Sequence, residues 1–391
     1  MKFIEETCER CGTCLLECPY IDITPQNAKD AITHRIETKT ESELSKDCFG
    51  CGYCDKICPT KSNPSELARE INLKKINKQG IPRFFIISKE NPSNYTSLAL
   101  QFGPDTKKQD IKEYLNPPNS EKMFYLGCGL SYVQTDLIKT KLLDGLPKIG
   151  GDKYCCGGIV TMFGDEEAKI KGKSLLNEFK ELGVKKFIMF CPGCLGVMKG
   201  IYAKLLPEFQ NSIEFQTFSQ YIIEKYHQDE IKFTNKINQR ITFHDPCAWM
   251  DLDQGVFEAP RELLEILGAE VVEMKHNQKT ALCCGSPFSD TNKELYKKVT
   301  GIRVDEALEV EADMIAVSCT GCLRLAKPAK ERNIETYHML ELTQIAVGEK
   351  PPHRTIEIRE KFDKLIEKAL SENPDLLKDK VIIKNGKIQR I

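Results

Sequence analysis

Eighteen cysteines in a chain of 391 residues are the side chains best placed to do chemistry, and their spacing sorts them into motifs. The first motif reads CERCGTCLLECP and supplies Cys8, Cys11, Cys14 and Cys18, followed by Pro19. The second reads CFGCGYCDKICP and supplies Cys48, Cys51, Cys54 and Cys58, followed by Pro59. Three thiolates spaced by two residues on a tight loop can grip three irons of a cubic cluster. A fourth, expected at a helix start, reaches across to the other cube. Gly12 and Gly52 let the backbone come close and aim its amides at sulfide. A zinc ribbon and a disulfide knot are the alternatives, and two copies of one long four-cysteine pattern speak against both.

The other ten cysteines form a repeat. Cys155-Cys156-Gly157 recurs as Cys283-Cys284-Gly285, and Cys191 and Cys194 recur as Cys319 and Cys322, all at an offset of 128. Cys128 recurs as Cys247 at an offset of 119, so the first loop is nine residues shorter in the first copy. Two motifs matched at one offset in one order indicate a duplicated domain. Each copy holds five cysteines, and none in the chain is left over. A structural zinc site takes four ligands, so five thiolates with a vicinal pair overfill it. A redox dithiol is the other alternative, but neither CPGC nor CTGC lies in a thioredoxin-like pattern.

These residues need elements to hold them. Apolar runs Met123–Leu126, Phe187–Phe190, Ile241–Phe243 and Met314–Val317 read as buried strands. Cys128, Cys191, Cys247 and Cys319 each follow one of them, where an open α/β sheet binds ligands. CPGC and CTGC are expected to start helices, whose N-terminal dipole favours thiolate. Gly157 and Gly285 let the chain turn sharply after two adjacent ligands. Amphipathic helices are expected over Glu166–Leu182 and Arg261–Leu267, stopped by Gly183 and Gly268. Residues 61–120 are Pro-punctuated and read as a helix, a short strand Phe84–Ile87 and a linker. A charged helix Ile356–Leu370 is followed by VIIKNGKIQRI, where Asn385-Gly386 marks a hairpin.

Net charge is −1, with 56 basic and 57 acidic residues, which leaves no field for a polyanion and argues against nucleic acid. The Lys74–Lys78 stretch reads as a solvated helix face. No apolar run approaches the ~20 residues of a membrane span. The N-terminus lacks the apolar core of a signal peptide. A cytoplasmic location is therefore expected, with any membrane association coming through a partner. So many cysteines in a reducing compartment indicate metal or redox chemistry rather than disulfides. No GxGxxG or Walker run is present, so no flavin, nicotinamide or nucleotide site is expected in this chain.

Both four-cysteine motifs fit the CxxCxxCxxxCP run of bacterial two-cluster ferredoxins. Carried over, that pattern gives one cluster to Cys8, Cys11, Cys14 and Cys58, and the other to Cys48, Cys51, Cys54 and Cys18. Two such motifs followed by two CCG modules resemble the heterodisulfide reductase iron–sulfur subunits, above all the fused form that joins a ferredoxin-like subunit to a CCG-bearing one. The resemblance covers residues 1–340. It implies two cubane [4Fe-4S] clusters, two noncubane [4Fe-4S] clusters at the CCG motifs, and disulfide cleavage between the latter. The sequence departs from strict duplication at the shorter Cys128–Cys155 spacing. The wider CCG family includes iron–sulfur subunits of glycolate oxidase, anaerobic glycerol-3-phosphate dehydrogenase and lactate utilisation. Intact CPGC and CTGC favour the reductase type.

The expected fold is mixed α+β and α/β: a small helical ferredoxin-like two-cluster domain, then two tandem α/β CCG domains. The expected divisions are 1–70 for the ferredoxin-type domain, 71–120 for a linker, 121–235 and 236–345 for the CCG domains, and 346–391 for a helix-and-hairpin tail. The expected function is an oxidoreductase subunit, active in a complex, that delivers electrons to a disulfide. Cys156, Cys284 and His244 are the candidate catalytic residues. His244, in FHDPC three residues before Cys247, could donate to a cluster or to a leaving thiolate, or simply bond backbone at a strand end. Asp245 reads as a turn residue. Trp249 and Met250 read as packing. A flavoprotein, a b-type cytochrome or a tungsten/flavin dehydrogenase would be the redox partner. The competing reading is a pure electron-transfer subunit for a flavin-dependent 2-hydroxyacid dehydrogenase or a benzoyl-CoA reductase-type complex.

Overall fold

The apolar runs form strands that are buried on both faces. In the computed structural model, which describes residues 2–128, 135, 137–252, 255–289, 292–351 and 355–391 (without the side chains of 355–359 and 362), they build two four-stranded sheets. The strands are β1 (Ile81–Pro82), β2 (Lys122–Gly127), β3 (Lys148–Gly150), β4 (Lys186–Met189), β5 (Glu214–Thr217), β6 (Arg240–His244), β7 (Glu270–Val271), β8 (Met314–Val317), β9 (Glu335–His338), β10 (Lys380–Lys384) and β11 (Lys387–Arg390). One sheet runs β3-β2-β4-β5 and the other β7-β6-β8-β9, with every pairing parallel. The two orders are the same, so the repeat in the cysteines is a repeat in the fold. Registers agree as well: Tyr125 lies opposite Met189 in the first sheet, and His244 opposite Val317 in the second. Even the capping boxes match, Thr217 with Gln220 and His338 with Glu341.

Helices cover the sheets as the all-parallel arrangement requires. Asp165–Glu181 and Glu258–Ile266 lie close to the expected bounds. One contiguous apolar core runs through both sheets, joining Phe124, Phe190 and Phe218 of the first repeat to Phe243, Trp249 and Leu340 of the second. The repeats therefore share a core rather than touching through a polar seam.

Two expectations outside the sheets are corrected. Residues 71–120 are not a linker: they hold helices Tyr95–Phe102 and Asp105–Leu115, and Ala99, Ile111 and Tyr114 are buried in the shared core. Asn94 caps the first of these helices, accepting from Thr96 and Ser97. Phe84–Ile87 is not a strand. Arg83–Phe85 is a 3-10 turn and pairing occurs one step earlier, at Ile81 and Pro82. Pro82 has no amide to donate, which keeps this strand short and at a sheet edge. The tail supplies the partner: β10 and β11 form a two-residue hairpin around Asn385-Gly386, and β1 adds to it antiparallel. Glu167 accepts hydrogen bonds from the Asn385 and Gly386 amides, tying the turn to the first repeat.

Candidate iron–sulfur sites

The N-terminal eight cysteines sit on two short loop–helix units. Gly12 and Gly52, both left-handed, open the helices Thr13–Leu16 and Tyr53–Ile57, which carry Cys14 and Cys54. The fourth cysteine of each motif lies at the end of its helix rather than at a helix start: Cys58 caps Tyr53–Ile57, and Cys18 follows Thr13–Leu16. That placement lets each fourth cysteine face the other unit. Cys14 feels Cys8, Cys11 and Cys58, whereas Cys51 feels Cys18 and Cys48. The structure thus brings the thiols together in the crossed grouping. Burial pushes Cys14 and Cys51 up to about 12, and Cys18 up to about 11. A thiolate at such a site needs a cation beside it, which suits a metal cluster. Cys58 is lower: burial raises it, but hydrogen bonds from Thr60 and Ser62 outweigh that. Arg35, buried, donates to Cys48 Sγ at 3.5 Å.

Each CCG module draws its five cysteines into one string of neighbouring thiols. In the first, Cys128 meets Cys155, Cys155 meets Cys156, Cys156 meets Cys194, and Cys194 meets Cys191. In the second, Cys247 meets Cys283, Cys283 meets Cys284, Cys284 meets Cys322, and Cys322 meets Cys319. The left-handed turn at Gly157 and Gly285 makes this possible, and their amides donate to Cys155 Sγ at 3.4 Å and Cys283 Sγ at 3.3 Å. A methyl group on Gly157 would also strike Lys171 at 2.5 Å. CPGC begins a helix as expected, Pro192–Leu195, which continues as a π-helical turn Gly196–Tyr202. CTGC instead opens a 3-10 turn, Gly321–Leu325, so only the first copy places its CxxC on an α-helix. The shorter Cys128–Cys155 loop falls partly outside the described residues. Half-buried and buried soft donors in sets of four and five, with the Gly157 and Gly285 amides aimed at sulfur, are a donor set that fits iron–sulfur clusters.

Around these strings the two modules differ. Tyr125 holds the first-sheet position that His244 holds in the second, and its hydroxyl donates to the Tyr154 carbonyl. His244 is buried, and one of its ring nitrogens groups with the Cys284 and Cys322 sulfurs, all three ligand atoms lying within 4.8 Å of one another. Its Nδ1 accepts from Arg303 Nε at 3.2 Å, while Nε2 is buried without a hydrogen-bond partner. Burial pushes His244 below its ordinary value; Cys284 pulls it up and the Arg303 charge pushes it down. Asp245 does more than turn the chain. Its carboxylate is fully buried and bidentate to Arg261 at 2.9 and 2.8 Å, and it accepts from the Gln278 amide at 2.7 Å. Trp249 and Met250 are buried, Trp249 in the shared core and Met250 against the ferredoxin unit.

The ferredoxin unit docks on the second module. Tyr20, Tyr53, Met250, Leu282, Cys283 and Phe288 form one small core, with Cys18, Cys51 and Cys247 packed against it. The Cys283 amide donates to Tyr20 Oη at 2.8 Å, and Phe49 meets Phe288 edge-on at 4.5 Å. Lys56–Asp251 and Lys298–Asp22 pair across the same joint at 2.8 and 2.6 Å. The first module meets the second through Gly196, where a methyl group would stand 2.5 Å from the Ala248 carbonyl oxygen. Between the three units lies a polar-lined cavity of about 300 Å³, bordered by Cys51, Lys56, Gly193, Lys204, Cys247 and Asp251.

Comparison with known proteins agrees with this architecture. Residues 1–75 match the 4Fe-4S dicluster domain family, and residues 124–199 and 241–325 each match the CCG cysteine-rich domain family. The chain is a fusion of a 4Fe-4S dicluster domain to two CCG domains, homologous to a heterodisulfide reductase subunit. In Methanosarcina mazei its relative is a subunit of the dihydromethanophenazine:CoB–CoM heterodisulfide reductase, 27% identical over 82% of this chain and 87% of that one. In Methanothermobacter marburgensis it is similar to a subunit of the fumarate reductase (CoM/CoB), 23% identical over 88% of this chain and 72% of that one. The EtfAB:quinone oxidoreductase of Syntrophomonas wolfei is 23% identical over 73% of this chain and 43% of its own length. This homology and the iron–sulfur domain composition make the CCG protein an electron-transferring oxidoreductase. Among the described residues no helix is long and apolar enough to cross a membrane.

Buried Arg303 and Glu306, with the half-buried His276, form a group next to the second module that sequence reasoning missed. No spacing rule links them to Cys284, so no signal in the chain could have found them.

Proposed function

We propose that this CCG protein reduces a disulfide, R–S–S–R′ + 2e⁻ + 2H⁺ giving RSH and R′SH, in the cavity between its three units. The observation that carries the proposal is that cavity. It is bordered at once by Cys51 of the ferredoxin unit, Cys247 of the second module and Gly193, inside the CPGC of the first. The proposed ligands are Cys8, Cys11, Cys14 and Cys58 for one cubane cluster and Cys18, Cys48, Cys51 and Cys54 for the other. Cys128, Cys155, Cys156, Cys191 and Cys194 would hold the third cluster, and Cys247, Cys283, Cys284, Cys319 and Cys322 the fourth. When bound, such clusters store and pass single electrons.

The chain's own residues do the rest. Tyr20, Phe49 and Phe288 fix the ferredoxin unit against the second module, which makes that module the first to receive electrons. Gly196 lets the two modules close on a substrate from both sides. Cys156 and Cys284, each the middle cysteine of its string, are the thiols on which disulfide cleavage depends in this reading. The reading also places the protein in a reducing cytoplasmic compartment, with a flavoprotein or b-type cytochrome as electron donor.

The test is anaerobic purification, iron and sulfide analysis, and viologen-driven turnover of candidate disulfides. About 16 irons per chain and disulfide-dependent viologen oxidation are expected. Near eight irons with zinc making up the difference would defeat the CCG half. Similarity to a quinone oxidoreductase favours a second reading, pure electron transfer. Brisk oxidation by a quinone or partner enzyme, with every disulfide inert, would establish that reading instead.

A further inference from the structure

We infer that Arg303 is a positioning residue: it locks His244 in the tautomer that carries its proton on Nε2, making His244 a hydrogen-bond donor to the sulfurs of the second CCG site and not an iron ligand. The inference rests on the proposed cluster ligation at Cys247, Cys283, Cys284, Cys319 and Cys322. It begins from the partner of His244 Nδ1, the Nε of Arg303 at 3.2 Å. A guanidinium has only donors, so Nδ1 must accept. A neutral imidazole that accepts at Nδ1 carries hydrogen at Nε2. That nitrogen is buried and has no hydrogen-bond partner within the chain, a costly position for an N–H unless sulfur at the cluster site takes its hydrogen bond. With Nδ1 committed to Arg303, Nε2 is the nitrogen left for the Cys284 and Cys322 sulfurs of the three-residue group. A ring nitrogen bearing hydrogen has no lone pair in the ring plane to give to iron.

Arg303 is itself held so that it cannot turn away. Its Nη1 donates to the His276 carbonyl at 2.9 Å and to Glu306, and its Nη2 contacts Met274 Sδ at 3.1 Å. Glu306 in turn bonds His276 Nδ1, and His276 Nε2 faces Tyr53 Oη at 3.4 Å. Each nitrogen of the buried guanidinium thereby has a partner, and Nε has one place to point. The first module is built differently at the matching position. Tyr125 sits where His244 would, and its hydroxyl is committed to the Tyr154 carbonyl.

The consequence is a difference in redox behaviour between the two sites. One-electron reduction of the second site, by dithionite through mediators in a titration, adds one negative charge beside Nε2–H. No proton moves and no bond is made or broken. A hydrogen bond aimed at that sulfur stabilises the added charge, and hydrogen bonds to cluster sulfurs are among the factors that set potential.

The experiment is a potentiometric titration of the full chain followed by paramagnetic resonance, with nitrogen couplings read from ¹⁵N-histidine protein. In His244→Leu the reduced-to-oxidised ratio of the second site at fixed potential should fall about tenfold, a shift of about 59 mV downward. His244→Gln, which keeps a side-chain N–H, should recover part of it. Arg303→Met leaves the buried Glu306 carboxylate without its guanidinium, held by His276 alone, and is expected to fold poorly, so the paired variant Arg303→Gln with Glu306→Gln is used in its place. It should lower the second site in the same direction as His244→Leu. The first site should not move in any variant, and the histidine coupling should be weak. A directly ligating nitrogen, an unmoved second site, or equal movement of both sites would overturn the inference. Absence of any cluster signal from the second site in the unaltered protein would defeat the underlying ligation proposal instead.

Discussion

The two CCG modules share a sheet order, a register and a five-cysteine string, yet their surroundings differ in kind. Around the first, Tyr125 bonds its own chain, Tyr202 Oη donates to the Cys156 carbonyl at 2.5 Å, and Lys171 lies beside the Gly157 turn with its charge favouring the Cys155 thiolate. The second carries His244 backed by the buried Arg303–Glu306 ion pair, with the half-buried His276 beyond it, and the ferredoxin unit rests on it through Tyr20 and Phe288. Duplication kept the thiols and let their neighbours diverge. Equal ligand sets therefore need not be equal sites, since burial, hydrogen bonds and docking partners set potential and order of reduction.

The largest expected effect comes from removing one thiol in each module. Cys284→Ser and Cys156→Ser should each cost about four of about 16 irons and abolish disulfide turnover. Their spectra should differ: with Cys156→Ser the second site still reduces from the ferredoxin unit, while Cys284→Ser strands electrons there. Full activity in either variant would exclude a shared site.

Donor dependence tests the order of reduction. Cys14→Ser and Cys322→Ser should both stop flow from the physiological donor, but a low-potential artificial donor should bypass only the first lesion. If the two variants behave alike with both donors, the ferredoxin unit does not stand upstream of the CCG sites.

A smaller effect is expected where the modules touch. Gly196→Val places a side chain against the Ala248 carbonyl, at 2.5 Å for the first carbon alone. Iron content should hold while turnover falls roughly 100-fold, the scale of an ångström's misplacement of reacting groups. Unchanged turnover at full occupancy would show that the modules need not approach this closely.

Smallest are the docking contacts. Tyr20→Phe leaves the buried Cys283 amide without its 2.8 Å acceptor. A loss of roughly 1–3 kcal/mol is expected, read in chemical unfolding, with the first site's spectrum unmoved. Lys56→Met removes a half-exposed pair at 2.8 Å and should cost under about 1 kcal/mol, vanishing at high salt. A larger loss from Lys56→Met than from Tyr20→Phe would mean that charge, and not the aromatic core, holds the joint.

The features legible in the chain alone are local or periodic. Cysteine spacing within a loop, the 128-residue offset between modules, and the apolar runs of β2, β4, β6 and β8 are all readable, because each depends on neighbours along the chain. The hairpin at Asn385-Gly386 belongs to the same class, since the turn residues dictate its geometry. Residues 71–120 read as a linker because five prolines suggest punctuation, while the burial of Ile111 and Tyr114 depends on a sheet the segment does not belong to. Which module the ferredoxin unit meets was settled by the tertiary structure, because the Tyr20–Cys283 contact joins residues 263 positions apart. So was the environment of His244, which faces sulfur with Arg303 behind it, 59 positions away. A hydrogen bond of that span is fixed by how strands and helices pack, and packing energy is summed over the whole core, so no short pattern in the chain could announce it.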